Sequence, residues 1–472
     1  MPFQLPYECL NEILKNLKVE KDLRSCSLVN HFWCEVSIRI LWRNIHNYNL
    51  LIGCFSDESK EILRKNDIII STSTSKPLFF DYIKFIKNLS VHDTVCGVLK
   101  FLKDQQPDDD NKKFVVTQEI FKMLMGQVTL KKLEFCSRRF LIPNIPITTY
   151  PGAKDCLKNL SEFDCSSNID SEIFYQMSQI CHNIESLSIT LEDIISNGLA
   201  ELISVQKNLK CLNILHESSD VMYVPPLIAN INDTVIKLRL EGRYLIPLSF
   251  ISKLINLQEL LLSFRFEGFE DMEYMTLPNL QILKFYYNVL IPKPLIIFFE
   301  NSGKNLRVLD LHNTNDNSLN LAVAKFCSNL RSLRTVILDV ESTTLKVILQ
   351  GCQKLESIYL LCGSNYLNES ILLEIIVNDS PRNFHELKMD YVGGFEHIFF
   401  QTALAPVFRR WENRTPKNTL SLFIIGICGK SIRRASSIVI KKFQKSGYKS
   451  LYIGTLELSA EPENLVYWNP SS

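Results

Sequence analysis

Apolar and polar positions follow two different periods along the chain. In residues 5–45 the apolar residues recur at helical spacing: Leu10, Ile13, Leu14 and Leu17 form the stripe of one amphipathic helix. Pro6 suits the first turn of that helix, where its missing N–H costs nothing. Leu23, Cys26 and Val29 mark a second short helix, and a third runs from about His31 to Trp42 with Trp33, Val36 and Ile40 on one side. A three-helix module of this size keeps too much of its chain exposed to be comfortably stable alone, so it needs a neighbour. Its density of Leu, Ile and Trp exceeds what three short helices cover, so part of that surface faces a partner protein or the following domain. On pattern alone, a helical cap on a larger domain is an equal reading.

After this module the period changes to apolar-x-x-apolar-x-apolar, often preceded by Asn. The unit starts at Ile86, Leu130, Leu160, Ile184, Leu209, Val235, Leu257, Leu280, Leu306, Leu333, Leu355 and Phe384. From Leu160 to Phe384 nine steps span 224 residues, close to 25 per repeat. At one repeat two registers compete, Leu330/Leu333 and Leu333/Val336/Leu338. The segments between are mostly helical in pattern, as in 171–181, with Ile173, Met177 and Ile180 on one face, and 344–352. Strand and helix alternating at this period predict an α/β solenoid, a parallel inner sheet with outer helices, in which each unit is buried against its neighbours. Strands at Leu420/Leu422 and Leu451/Ile453 are expected to close the array, and the tail to cap it or be disordered.

Two resemblances follow from these residues. Leu5-Pro6-x-Glu8, then Ile13-Leu14, Leu17, Leu23, Val29, Trp33 and a closing Leu41-Trp42 resemble an F-box. Cys181-x-x-Ile184, Cys327-x-x-Leu330 and Cys352-x-x-Leu355 place a Cys ahead of the strand, which resembles the cysteine-containing leucine-rich repeats that often follow an F-box. The Asn common three residues after the last strand apolar position occurs at Asn168 and Asn288 but not in most units. The resemblance implies docking onto the Skp-type adaptor of a cullin-RING (SCF) ubiquitin ligase. Leu5, Pro6, Ile13, Leu14, Leu17, Leu23 and Val29 would supply much of the contact, with Glu8 and Trp33 also in the adaptor-binding set. The expected division is 1–47 F-box, 48–77 linker, 78–458 leucine-rich-repeat solenoid and 459–472 tail. STSTSKP (71–77) and DQQPDDDNKK (104–113) read as solvated loops.

Composition narrows the function classes. The 472 residues are 46% hydrophobic and 22% charged, which excludes global disorder. A formal charge of +1 argues against a whole-protein grip on nucleic acid or an anionic membrane. Apolar runs such as 422–428 and 294–299 are far shorter than the ~18 residues of a membrane span. The N-terminal residues lack a secretory pattern, so the expected location is the cytoplasm, the nucleus or both, with the 14 cysteines free and in the core.

No catalytic constellation emerges. C-x-x-C, H-E-x-x-H and G-x-S-x-G are absent, and Gly429-Lys430-Ser431 lacks the earlier glycine of a P-loop, where Ile424 stands. The expectation is a protein with no enzymatic role, cofactor or metal. Residues between the apolar strand positions face the inner side of the sheet. The apolar, aromatic stretch Ile282, Tyr286, Val308, Ile337, Tyr359 and Leu361 is therefore the candidate substrate-binding surface, although strand propensity or an overlying loop accounts for it as well. Residues 430–449 hold seven Lys/Arg and no acid, with Ile432, Ala435, Val439 and Phe443 on one helical face. They are a candidate for an acidic or phosphorylated partner, or the outer face of a repeat helix. The resulting expectation is a substrate receptor of an SCF ligase that binds an unknown protein. Its rivals are a scaffold outside the ligase and, since some related plant proteins use a ligand at this face, a small-molecule sensor.

Overall fold

A computed structural model describes residues 5–17, 19–68, 79–103, 110–135, 145–192, 195–216, 231–242, 248–263, 269–286, 291–312, 314–363, 365–391, 420–426 and 451–456, with a few single and paired residues between them. Two compact units are present, residues 1–217 with 226–235, and residues 218–225 with 236–472.

In the first unit α1 (Tyr7–Lys15), α2 (Glu20–Cys26) and α3 (His31–Leu41) close on Leu10, Leu14, Leu23, Val36, Leu41 and Trp42. Asn30 starts α3, its Oδ1 accepting from the Trp33 backbone N–H at 2.9 Å. The neighbour that so small a module needs is the chain that follows. Leu50, Tyr82 and Phe85 pack on the same core, and the Trp42 and Tyr82 rings lie 4.6 Å apart. Within the stretch expected as a linker, 48–65 folds into α4 (Tyr48–Gly53) and α5 (Asp57–Lys65), which bury Leu51, Ile52 and Leu63. These helices are too short to show a periodic stripe in the sequence.

A parallel sheet follows: β1 (Asn88–Ser90), α6 (Val91–Lys103), α7 (Asp110–Gln127), β2 (Lys132–Phe135), α8 (Ala153–Leu157), β3 (Glu162–Ser166), α9 (Ser171–Ile180), β4 (Ser186–Leu191), α10 (Asn197–Ser204) and β5 (Cys211–His216). Residues 110–113, expected in a loop, open α7. Leu89, Leu133, Phe163, Leu187 and Leu212 form one buried column in register. Each repeat is hung from the one before by a single carbonyl that accepts two N–H groups. Lys87 O takes Lys131 and Lys132, Lys131 O takes Ser161 and Glu162, and Ser161 O takes Glu185 and Ser186. The first rung of this series is Arg43 O, just past α3, which accepts Lys87 N at 3.0 Å and Asn88 N at 2.9 Å. The helical module is thus joined in register to the first strand by the backbone itself.

The second unit contains β6 (Met222–Tyr223), β7 (Lys237–Glu241), β8 (Tyr244–Leu245), β9 (Glu259–Ser263), β10 (Phe266–Glu267), β11 (Ile282–Tyr286), α11 (Pro292–Ser302), β12 (Val308–Leu311) and α12 (Asn317–Phe326). It continues with β13 (Ser332–Thr335), α13 (Ser342–Gly351), β14 (Ser357–Cys362), α14 (Glu369–Asp379), β15 (Glu386–Tyr391), β16 (Leu420–Gly426) and β17 (Leu451–Leu456). β7, β9 and β11 to β17 form one parallel sheet, while β6, β8 and β10 form a separate parallel trio. Leu238, Leu260, Leu283, Leu309, Leu333, Ile358, Leu387, Leu422 and Ile453 are the register column. The expected alternation of strand and helix fails between β7 and β11, where 3-10 turns at Leu248–Lys253 and Phe269–Tyr274 take the place of helices. The added strands β8 and β10 use up part of each short connection.

The competing registers are resolved in favour of Leu330/Leu333, because Leu333 pairs with Leu309 and Ile358. The third core position of this repeat is therefore Thr335, fully buried and polar. Thr335 Oγ1 donates to Asn320 Oδ1 at 2.6 Å, and Asn320 Nδ2 donates to Val336 O at 2.8 Å. The pair satisfies itself inside the core, which lets a threonine stand where an aliphatic residue is expected. Neighbouring repeat helices also approach closely. A Cβ on Gly351, at the end of α13, would fall 2.1 Å from Ala324 O of α12.

Candidate protein-docking surfaces

The three-helix module sorts its apolar residues into two sets. Leu14 (1% exposed) and Leu23 (7%) belong to its core, Leu17 and Trp33 are half-buried against it, and Leu5, Pro6, Glu8, Ile13 and Val29 are exposed. Leu14 and Leu23 therefore hold the helices together, and only the other members of the predicted adaptor-binding set offer side chains to a partner. Tyr7, Val19 and Leu28, which the sequence pattern did not single out, join the exposed set; Leu28 is 86% exposed. A stripe count cannot reveal them, because they sit at helix ends where the period breaks.

The second surface is the open face of the sheet in the second unit, carrying the side chains that alternate with the buried column. Ile282, Tyr286, Val308, Tyr359 and Leu361 stand on it, half-buried. Ile337 does not. It is 0% exposed, because its predicted place depended on the rejected register. Through Tyr359, the one member of the predicted set it contains, runs a row in register: Lys284, Asp310, Arg334, Tyr359, Lys388 and Phe423, one per strand from β11 to β16. The Arg334 guanidinium lies 3.9 Å from the Tyr359 ring centroid, and its Nη1 is 3.9 Å from Asp310 Oδ2. Tyr359 OH donates to Asp390 Oδ2 at 2.6 Å. Lys388 reaches over the Phe423 ring and pairs with Glu386 at 2.9 Å.

Electrostatics mark the centre of this row. Burial pushes the Asp310 carboxyl up to about 6 against the opposing pull of Arg334, Lys284 and the His312 backbone N–H. Burial, reinforced by Arg334, pushes the neighbouring His312 imidazole down to about 4. Burial tends to raise Glu386, but hydrogen bonds from Lys388 and Ser357 hold its carboxyl below the ordinary value. Asp310 Oδ1 and Arg334 Nε are buried atoms without a hydrogen-bond partner among the described residues.

The cysteines divide differently from the expectation. Cys156, Cys165, Cys181, Cys327, Cys352 and Cys362 are buried, but Cys9 and Cys96 are exposed and four others half-buried. Burial pushes the Cys181 and Cys352 thiols up to about 12, and Cys352 Sγ contacts Cys327 O at 3.5 Å. These are packing groups between repeats, held as neutral thiols. Among the described residues no His, Cys, Asp and Glu cluster could hold a metal, and no helix is long and apolar enough to cross a membrane. The basic segment 430–449, Asn288, the P-loop-like 429–431, the loop 71–77 and the tail lie outside the described residues. Asn168 is exposed.

The family model of F-box-like domains matches residues 3–48. The N-terminal module is an F-box-like domain. Among solved structures the chain is similar to the leucine-rich repeat-containing protein LegL7 from Legionella pneumophila, at 12% identity, 62% of this chain, 92% of that one and a TM-score of 0.33. It is also similar to a chain of the yeast Rad7 and Elc1 complex, at 12% identity, 90% of this chain, 94% of that one and a TM-score of 0.34. No curated protein sequence matches the chain. The F-box-like domain is followed by leucine-rich repeats, a parallel sheet with a repeat length close to 25 residues. Both kinds of module are used for protein interaction.

Proposed function

We propose that the protein is the substrate-recognition subunit of an SCF-type ubiquitin ligase, acting in the cytoplasm or nucleus. The F-box-like domain docks a Skp-type adaptor and through it the cullin-RING assembly, while the open face of the repeats holds a protein to be ubiquitinated. This chain contributes proximity rather than bond-making chemistry. The observation that carries the reading is the apolar set Leu5, Tyr7, Ile13, Val19, Leu28 and Val29, left exposed on a module whose own core is already filled. Burying each such side chain against a partner contributes roughly 1.5–3 kcal/mol, so a handful is enough for a stable complex. Support for the second half comes from the Asp310/Arg334/Tyr359 row, where charges and rings are already held in fixed geometry.

Co-expression with a Skp-type adaptor tests the first half. The wild type is expected to co-purify and an Ile13→Asp/Val29→Asp variant to lose the adaptor while keeping its fold, since both positions are exposed. A wild type that fails to co-purify sinks the ligase reading and leaves a repeat scaffold with another partner. For the second half, retention of a captured substrate by a Tyr286→Ala/Tyr359→Ala variant would remove the open face from consideration.

A further inference from the structure

In three successive repeats of the second unit, the residue just ahead of the first buried apolar position is Asn279, Asn305 or Asn329. Each donates from Nδ2 to a carbonyl of the preceding repeat, Ile255, Pro278 and Lys304, at 3.0, 2.7 and 2.8 Å. In the next repeat the same place is held by Lys354, ahead of Leu355. Two residues beyond each asparagine, Gln281, Arg307 and Arg331 are stacked through backbone rungs of 2.7 Å, Arg307 N to Gln281 O and Arg331 N to Arg307 O. The repeat therefore sets carboxamides and cations side by side along one edge of the sheet.

Asn279, Asn305, Asn329, Arg307, Arg331 and Lys354 line a cavity of ≈ 300 Å³ to which no carboxylate contributes. Arg331 is paired from outside, with Glu356 at 3.1 Å. The side chains of Arg307 and Lys354 have neither hydrogen bond nor ion pair among the described residues. Three cations around one cavity repel each other unless an anion lies between them, and guanidinium groups offer the planar fork that carboxylate and phosphate oxygens fit.

We propose that this cavity binds an acidic segment of a partner protein. Carboxylate or phosphate oxygens meet Arg307, Arg331 and Lys354, and the carboxamides meet the peptide groups of the same segment. Strands ~4.8 Å apart place the outer two cations about two steps, ~10 Å, apart, which is about three residues of extended chain. The acids must therefore fall within a window of three or four residues. A nucleic acid needs a longer cationic track to gain from counterion release, and three cations, one already paired, do not provide it. The site is separate from the adaptor-binding module and stands whether or not the ligase reading holds.

The test uses the full chain and fluorescence anisotropy with labelled peptides that share a Gly-Ser frame. One carries three consecutive Glu, one a phosphoserine between two Glu, one three Gln, and a single-stranded oligonucleotide is the fourth probe. The Glu or phosphoserine peptide is expected to bind about tenfold or more tighter than the Gln peptide, with the advantage shrinking as salt rises from about 50 to about 300 mM. Preference for one acidic peptide identifies the source of the oxyanion. Arg307→Gln/Lys354→Asn, which extends the asparagine row, should lose that advantage with an unchanged melting temperature, whereas Lys346→Glu on the exposed side of α13 should keep it. Equal binding of the Gln peptide, equal loss in Lys346→Glu, or tighter binding of the oligonucleotide than of either acidic peptide overturns the proposal. Should Arg307→Gln/Lys354→Asn not fold, the single Lys354→Asn variant decides by the same readout.

Discussion

The F-box-like domain and the open face of the repeats in the second unit expose opposite kinds of surface. The domain exposes aliphatic groups at Leu5, Ile13, Leu28 and Val29, about half or more of each open to solvent and with no polar partner to give up. The open face carries groups largely covered and already engaged with each other, Asp310 with Arg334, Arg334 with Tyr359, Tyr359 with Asp390 and Lys388 with Glu386. A partner docking on the first gains the transfer energy of whatever apolar area it covers, with no existing polar pair to break. A partner docking on the second must match or replace existing pairs, so its gain is small for a poor match and large only where its charges complement the row. The first surface suits a constant partner and the second a selected one.

The strongest test of that contrast lies at two adjacent residues of α1. Leu14→Asp buries an unpaired charge in the module core and is expected to cost ~3–5 kcal/mol, enough to expose α1 to α3 to proteolysis. Ile13→Asp, at a side chain 51% exposed, should stay within about 0.5 kcal/mol of wild type and lose only the adaptor. Limited proteolysis read beside adaptor co-purification checks both. Equal proteolytic sensitivity of the two variants would abolish the division into core and docking sets.

A middle-sized effect is expected inside the repeats. Thr335→Val leaves Asn320 Oδ1 without its donor in a fully buried site, and should cost about 1–3 kcal/mol. Asn320→Leu/Thr335→Val removes both partners, so the sum of the single losses should exceed the double loss. Denaturant melting of the three variants checks this. Strict additivity would mean that the pair does not account for the polar residue in the core column.

This pair also shows where sequence reasoning stops. The repeat length, the buried column from Leu238 to Leu387 and the closing strands β16 and β17 were legible, because an apolar residue at a strand position has one favourable direction to point. The register at β13 was not, because Thr335 is apolar in shape only and its partner Asn320 lies in another element. That error alone placed the buried Ile337 on the open face. In the module, the amphipathic stripe of α1 identified Leu10, Ile13 and Leu14 together. It could not tell that Ile13 is at the edge of the stripe and exposed, since a stripe has no marked boundary. The charged row was not legible because Asp310, Arg334 and Lys388 lie in separate repeats, and only the pairing of their strands puts them in register with Tyr359.

The smallest effect concerns how that row responds to pH. Asp310 titrates at about 6 in the folded protein, above the ~3.9 of a free aspartate, so the folded state binds its proton more tightly. Its contribution to stability is present below about pH 4 and is lost as pH rises through about 6. His312 titrates at about 4 folded against ~6.5 free, so its contribution is present above about 6.5 and is lost as pH falls through about 4. Across pH 4 to 6 the two slopes oppose each other, and the wild type should change little through this pair. Asp310→Asn removes the falling slope and should make stability rise from pH 4 to 6, while His312→Asn should make it fall over the same window. Denaturation midpoints at pH 4, 5 and 6 separate the cases. Parallel profiles for both variants would mean that neither group titrates differently on folding, and that the open face is no more preorganised than an ordinary solvated strand.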